Sequence, residues 1–341
     1  MLINSTSEKE IIVMAEKLLS VIIPACNVAG YIIECVDSLL AEIPEPNELI
    51  IINDGSTDDT LLRLDEHYAR EKRVRVVTIP NGGAGAARDY GVTLANGQFI
   101  FFCDPDDVVC KGLFTELSCT IQQWPELELF CFNSLCFADG NPKKTWRKVK
   151  HHQFGLFPAL DVFQGLLRNG TYTSAAWNYV IKKEVIDRYN LKYMQRVHED
   201  HLFSLGAFMR CGTAFVSRHV YYRQRVRSGS LTNSSKDESY FFQRYQAFIA
   251  AWEKLVRLTD CAELRYLYLI HSFRLMIHLF VVSSEPMPDY LRHAILYFGK
   301  NLKPVRIVDG LLLRKPEIYF NLLRIKQRTP TIKRFLLKVR G

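Results

Sequence analysis

Over the first hundred residues, apolar runs alternate with mixed, helix-like stretches. Leu18 to Pro24 is almost continuously apolar, β-branched and closed by proline, which predicts a buried strand. The pattern then predicts a helix from about Gly30 to Ala41, a strand over Glu48 to Asp54, a helix from about Asp58 to Arg70 and a third strand over Val74 to Ile79. Asn81-Gly82-Gly83-Ala84-Gly85-Ala86-Ala87-Arg88 is a glycine-rich loop running into a helix that ends near Ala95, and Asn96-Gly97 turns the chain into a strand over Gln98 to Cys103. Strands and helices interleaved in this way specify an α/β fold with a mostly parallel sheet covered by helices. In such sheets ligands gather at the carboxyl ends of the strands. Polar residues concentrate at those ends: Pro24-Ala25-Cys26-Asn27, Asn53-Asp54-Gly55-Ser56, Asn81-Gly82-Gly83 and Asp104-Pro105-Asp106-Asp107. Four loops are expected to meet in one crevice.

From Lys111 to Tyr240 the pattern is mixed, with a strand-like Leu129 to Phe132 and a polar insert, Ala138 to His152, read as a mobile loop or a hairpin. Beyond Tyr240 the helical period returns at Phe241, Tyr245, Phe248, Trp252 and Leu255. Leu267 to Val282 is the most apolar later stretch, but His271, Arg274 and His278 interrupt it, so it reads as a buried helix rather than a membrane span. The expected organisation is an N-terminal extension (1–17), two halves of one α/β domain (18–110 and 111–240), and a helical C-terminal region with a basic tail (241–341).

Composition changes this picture in two places. With 48% hydrophobic and 23% charged residues the chain is an ordinary globular protein, but its +8 charge is uneven: Leu291 to Gly341 holds 13 Lys/Arg against 2 Asp/Glu. The tail alternates cations with leucine and isoleucine at residues 311–315, 319–326 and 332–340, a pattern suited to lying in an anionic membrane interface or to packing on the domain with a solvated basic face. No recognised nucleic-acid module accompanies that charge. The nine cysteines show neither C-x-x-C pairs nor zinc spacing, and are read as reduced core residues of a cytoplasmic protein. Residues 1–17 lack the basic-then-apolar order of a signal peptide, so no export is expected.

The chemistry centres on Phe99-Ile100-Phe101-Phe102-Cys103-Asp104-Pro105-Asp106-Asp107, an apolar run that ends in three carboxylates. Asp104 and Asp106 bracket a proline, so a stiff turn can aim two acids at one hard cation. Such a segment is by itself also a common turn. Taken with Ser20-Val21-Ile22-Ile23-Pro24 and Asn27, with Ile51-Ile52-Asn53-Asp54-Gly55-Ser56-Thr57-Asp58-Asp59-Thr60, and with Gly85-Ala86-Ala87-Arg88-Asp89, it closely resembles the family 2 glycosyltransferases. The resemblance covers residues 18–110 well and fades by about 232.

That resemblance implies a GT-A fold, a nucleotide-sugar donor with UDP-sugars favoured, Mn²⁺ or Mg²⁺, and inversion at the anomeric carbon. It puts Pro24, Ala25 and Asn27 along the nucleotide, Asp54 against the base, and Gly83 and Arg88 near the donor. Asp104 is expected beside ribose and metal, Asp106 on the metal, and Asp107 in a supporting or turn role. It also implies that Asp200, with Glu199 second, takes the proton of the acceptor hydroxyl, that Trp177, which reads equally as a core residue, and His198 line the acceptor, and that Arg227 and Ser230 hold the diphosphate. Cys26, Val28 and Asp89 depart from the pattern common in relatives. The function implied is transfer of a single sugar to a lipid-linked glycan during assembly of a bacterial surface polysaccharide such as capsule or O-antigen, at the inner face of the cell membrane. The rival readings are a sugar-nucleotide-binding protein without turnover and a sugar-nucleotide pyrophosphorylase, whose glycine-rich segment is replaced here by Pro24-Ala25-Cys26-Asn27.

Overall fold

The computed structural model describes residues 17–193, 198–227 and 237–328. Residues 1–16 of the expected extension, Ser230 and the 332–340 segment lie outside the described residues. In chain order the elements are β1 (Leu19–Ala25), α1 (Ile32–Leu40), β2 (Glu48–Asp54), α2 (Thr60–Tyr68), β3 (Val74–Ile79), α3 (Ala84–Leu94), β4 (Phe99–Phe102), β5 (Val108–Val109) and α4 (Leu113–Gln123). There follow β6 (Leu129–Ala138), β7 (Asn141–Val149), β8 (Gly155–Pro158), α5 (Ala159–Asn169), a short 3₁₀ turn (Ala176–Asn178), β9 (Tyr179–Lys182), α6 (Lys183–Arg188), α7 (Asp200–Arg210) and β10 (Thr213–Val226). Five helices close the chain: α8 (Glu238–Leu258), α9 (Ala262–Val282), α10 (Asp289–Gly299), α11 (Ile307–Arg314) and α12 (Pro316–Arg328).

One sheet runs in the order β3-β2-β1-β4-β9-β6-β10-β5, with β7 on β6 and β8 on β10. The strands β3, β2, β1 and β4 are parallel, and β1, β2 and β4 are buried along their whole length, as unbroken apolar runs between helix layers require. Close packing of α3 on the sheet depends on Gly91, where a Cβ would stand 2.4 Å from Ile22 Cγ2. Beyond β4 the register changes: β9 is antiparallel to both β4 and β6, and β6 and β10 are again parallel. β9 runs against its neighbours because it leaves the 3₁₀ turn on the crevice side and descends into the sheet.

The polar insert is a hairpin rather than a loop: β7 folds back on the far half of β6, which with β10 extends past the ends of the central strands. The helical region rests on the sheet domain through α8 on α7 and α9 on α5, and one apolar cluster continues from Leu19 to Phe320. The buried-helix expectation holds for α9, which presents Phe273, Met276, Ile277 and Phe280 to that cluster. No helix among the described residues is long and apolar enough to cross a membrane. All nine cysteines are free thiols, and five are buried; Cys119, expected in the core, is exposed.

Candidate active site

The four polar strand ends do meet, and hydrogen bonds join them in sequence. After β1, Asn27 turns with φ +52°, a left-handed conformation that asparagine tolerates. Its Oδ1 accepts from the Thr57 N–H at 2.8 Å, and its own N–H donates to Ser56 Oγ at 3.1 Å, so the first loop is tied to the second. Pro24 and Ala25 are buried strand residues paired with Ile52 and Asn53 of β2.

After β2, Asp54 accepts from the Gly82 N–H at 2.7 Å and the Gly83 N–H at 2.9 Å, one on each oxygen. The carboxylate is 3% exposed. In this structure both of its oxygens hold the glycine loop. Gly83 sits at φ +87° immediately before α3, a conformation that costs a side-chain-bearing residue strain, and it frees the first N–H groups of α3 to face the crevice.

Arg88, one turn into α3, is 7% exposed. It does not reach outward. Its Nη2 donates to Asp104 Oδ1 and its Nη1 to Glu199 Oε1, both at 2.7 Å, so one guanidinium fastens the acidic turn after β4 to the start of α7, 111 residues beyond Arg88 itself. A planar fork with two separate donor edges can do this, whereas a lysine ammonium offers a single point. The ring of Tyr193 lies 5.4 Å from the same guanidinium.

The acidic turn is held from beneath by β10. The Asp104 N–H donates to Tyr222 Oη at 3.0 Å, and that hydroxyl donates to Asp107 Oδ2 at 2.7 Å. The Arg225 N–H donates to Asp107 Oδ1 at 2.7 Å, and Arg225 Nε to the Asp106 carbonyl at 2.8 Å. Asp107, 2% exposed, is thus a support residue, as expected, and burial pushes its carboxyl well above the ordinary range. Asp106 is shifted up as well, by burial and then by the charge of Asp104, against the pull of Arg227, whose Nε donates to Asp106 Oδ2 at 2.7 Å. Arg227 is therefore found on the proposed metal carboxylate and over the Tyr31 ring at 4.7 Å.

On the opposite side, Glu199 stands just before α7, without a side-chain capping bond, and Asp200 begins the helix. Burial raises both carboxyls above their ordinary values, with Arg88 opposing the shift in each case. Asp200 Oδ1 accepts from Ser174 Oγ at 3.0 Å. Ser174 is held in turn: its carbonyl accepts from Ser204 Oγ, which shares a hydrogen bond with Tyr179 Oη at 2.8 Å. His201 is buried and kept neutral, its pKa driven down to about 3 by burial and by Arg244 and His271. His198 turns at φ +64° with its ring edge-on to Tyr240, 4.8 Å between centroids.

Trp177 does not line the acceptor. It is 2% exposed, and its indole stacks face to face on Tyr222 at 4.5 Å and 4°. An aromatic with no free face cannot receive a sugar, so its part is to fix Tyr222, which fixes the acidic turn. Tyr222, Arg225 and Ser174 were missed in the sequence reading as site residues. The crowding of Arg223, Arg225 and Arg227 at alternate positions was the one local signal available for β10.

Among the described residues no group of three or more potential metal ligands gathers. Asp104 and Asp106 fit a different kind of cation site, in which one or two carboxylates hold the ion and substrate phosphates and water complete its shell.

The family described as Glycosyl transferase family 2 matches residues 20–183. GlyG, a glycosyltransferase of Streptococcus pneumoniae, is 34% identical over 233 residues, which span 66% of this chain and 76% of that protein. The chain belongs to glycosyl transferase family 2. The transferase is also similar to EpsJ of Bacillus subtilis, an uncharacterized glycosyltransferase, at 27% identity over 254 residues (72% of this chain, 73% of that one). Among solved structures, residues 1–349 of S. aureus TarS in complex with UDP-GlcNAc superpose on the transferase with a TM-score of 0.65 at 17% identity, covering 91% of each chain. At that identity the likeness concerns the fold, and it agrees with the GT-A architecture expected from the sequence.

Proposed function

We propose that this transferase moves a single sugar from a nucleoside diphosphate sugar, UDP-sugars favoured, to a hydroxyl of a glycan acceptor, with inversion at the anomeric carbon. The observation that carries the reading is the Arg88 bridge, which joins the donor-side carboxylate Asp104 to the acidic pair Glu199 and Asp200 across one crevice. The UDP-GlcNAc bound to the similarly folded TarS supports the choice of donor class.

Asp106 and Asp104 would hold Mn²⁺ or Mg²⁺. When bound, the ion neutralises the charge that builds on the departing diphosphate. The amide groups at the start of α3, with Gly83 set by Asp54, offer donors to the nucleotide and its phosphates. Arg227 would leave Asp106 for the diphosphate oxygens, since both sites are anionic and a guanidinium suits either. Asp200 takes the acceptor proton. Its raised carboxyl, held by Ser174 and backed by a neutral His201, is matched to that task better than an ordinary aspartate is.

Surface-polysaccharide assembly on a lipid-linked acceptor, at the inner face of the membrane, completes the proposal. It is supported by the exposed Val305 and Ile307, by the apolar Ile318, Leu322 and Ile325 on the outer side of α12, and by the cations interspersed among them.

The test is metal-dependent hydrolysis of a panel of UDP-, GDP- and dTDP-sugars, followed by transfer. Asp106→Asn is expected to remove the metal enhancement of nucleoside-diphosphate binding. Asp200→Asn is expected to leave that binding intact and cut transfer about 10²-fold or more. No metal-stimulated turnover with any donor would favour a binding protein without catalysis, and near-normal transfer by Asp200→Asn would move the base to Glu199.

A further inference from the structure

The β6–β7 hairpin has no part in the machinery described so far, and its outer strand has an unusual surface. Every residue from Asn141 to Lys148 is exposed, in the sequence Asn-Pro-Lys-Lys-Thr-Trp-Arg-Lys. From Gly140 to Leu160 there are five Lys/Arg and no Asp or Glu, within a first 290 residues that otherwise hold a slight acidic excess. The nearest acid, Asp139, is already neutralised by Arg225 at 3.1 Å. Trp146 lies in the middle of this strand, 43% exposed, with Lys144 and Lys148 two residues to either side. Among the described strands β7 pairs with β6 alone, so its other edge leaves backbone donors and acceptors open. A register shift opposite Ser134 and Leu135 makes Lys148 the extra residue of a bulge.

Position makes the surface relevant. At its first end the hairpin is anchored to the metal corner: Asp139 accepts from Tyr31 Oη at 3.1 Å and from Arg225, which also holds the Asp106 carbonyl, and the Pro142 carbonyl accepts from Arg223 at 2.8 Å. At its other end the chain is anchored to the base corner: the Lys150 carbonyl accepts from Thr171 Oγ1 at 2.9 Å, and three residues later Ser174 binds Asp200. Thus β7 runs between the two chemical ends of the crevice. Its ends pair with Ser134 and Ala138, four residues apart on β6, and the pairing skips Pro142 to Lys144 at a second register shift, so β7 spans roughly 13 Å.

We infer that the open edge of β7 is a binding surface for an anionic glycan chain, the acceptor of the proposed transfer. The inference rests on that functional reading for the identity of the ligand. Cations at short intervals pair with carboxylate, phosphate or sulfate groups along the chain, and the exposed indole stacks on the apolar face of a sugar ring between them. A neutral acceptor would leave the four cations of β7 without partners. Lysines on an edge strand also discourage sheet-to-sheet pairing, and that role by itself predicts aggregation on their removal and no change in ligand affinity.

The full chain is titrated with oligogalacturonate, a polycarboxylate glycan, with neutral dextran of equal length, and with phosphatidylglycerol vesicles. Fluorescence is read in the protein and in Trp146→Phe to isolate that indole. Oligogalacturonate is expected to change Trp146 emission, with affinity falling as salt rises, while dextran has no effect. Lys144→Gln/Arg147→Gln/Lys148→Gln should weaken the binding at least tenfold and leave UDP affinity in Mn²⁺ unchanged. Equal affinity in this variant, a Trp146 signal from vesicles alone, or no Trp146 response in the unaltered protein overturns the inference. The last of these needs no variant to fold. Absence of UDP binding together with intact oligogalacturonate binding at Trp146 would instead refute the donor reading and leave the anionic surface standing.

Discussion

Removing Arg88 puts the central claim about the site under strain. Arg88→Ala deletes two charge-assisted hydrogen bonds of 2.7 Å and strands Asp104 and Glu199 beside each other without a cation. Their side chains are 27% and 19% exposed and that of Arg88 is 8%, so water screens the loss only in part. Breaking a buried pair from one side costs about 3–5 kcal/mol, and the partial exposure of Asp104 argues for the lower end, about 3 kcal/mol. The cost should depend on pH. Glu199 is held above its ordinary value even with Arg88 pulling it down, so loss of the arginine lifts it further. A carboxyl raised in the folded state favours folding below its unfolded pKa and gives up that advantage as pH rises through the folded value. The deficit of Arg88→Ala is therefore largest near neutral pH and shrinks on acidification, as Glu199 takes up a proton. Denaturant midpoints at about pH 7.5 and about pH 5 measure this, with Arg88→Lys expected to recover less than half, since one ammonium cannot span both acids. A loss below about 1 kcal/mol, or one that is flat with pH, would refute the bridge as a structural tie.

Two further outcomes follow from the same network. Tyr222→Phe keeps the stack on Trp177 but removes the hydroxyl between the Asp104 N–H and Asp107, and should cost about 2–3 kcal/mol and weaken metal-dependent nucleotide binding; unchanged urea stability would show that Arg225 holds the turn without it. Ser174→Ala removes the hydroxyl that favours ionised Asp200, so the acid limb of the transfer rate should move to higher pH, while an unmoved limb in a kcat profile would take Ser174 out of the mechanism.

Much of this protein could be read without its structure, for identifiable reasons. Short apolar runs, prolines and glycines act over a few residues, so β1, β2, β3 and β4, the glycine loop and the acidic turn stand within a residue or two of where they fold. Their order, alternating with helices, dictated a parallel sheet and hence the end of it that carries ligands. The side-chain partners followed no such local rule. Arg88 could be recognised as a site cation, but its grip on Glu199 depends on α7 being brought back to α3 from 111 residues away. Trp177 looked like a sugar platform because a sequence records an aromatic and not whether its face is covered, and Tyr222 covers it. Asp54 stands in sequence as a polar strand end, and only the fold brings the glycine loop onto both its oxygens. The insert at residues 138–152 showed its polarity in sequence, but only pairing with β6 made it a strand with an open, cationic edge beside the crevice. Local chemistry thus decided which groups the site contains. Long-range packing decided which are spent holding it together and which remain free to act.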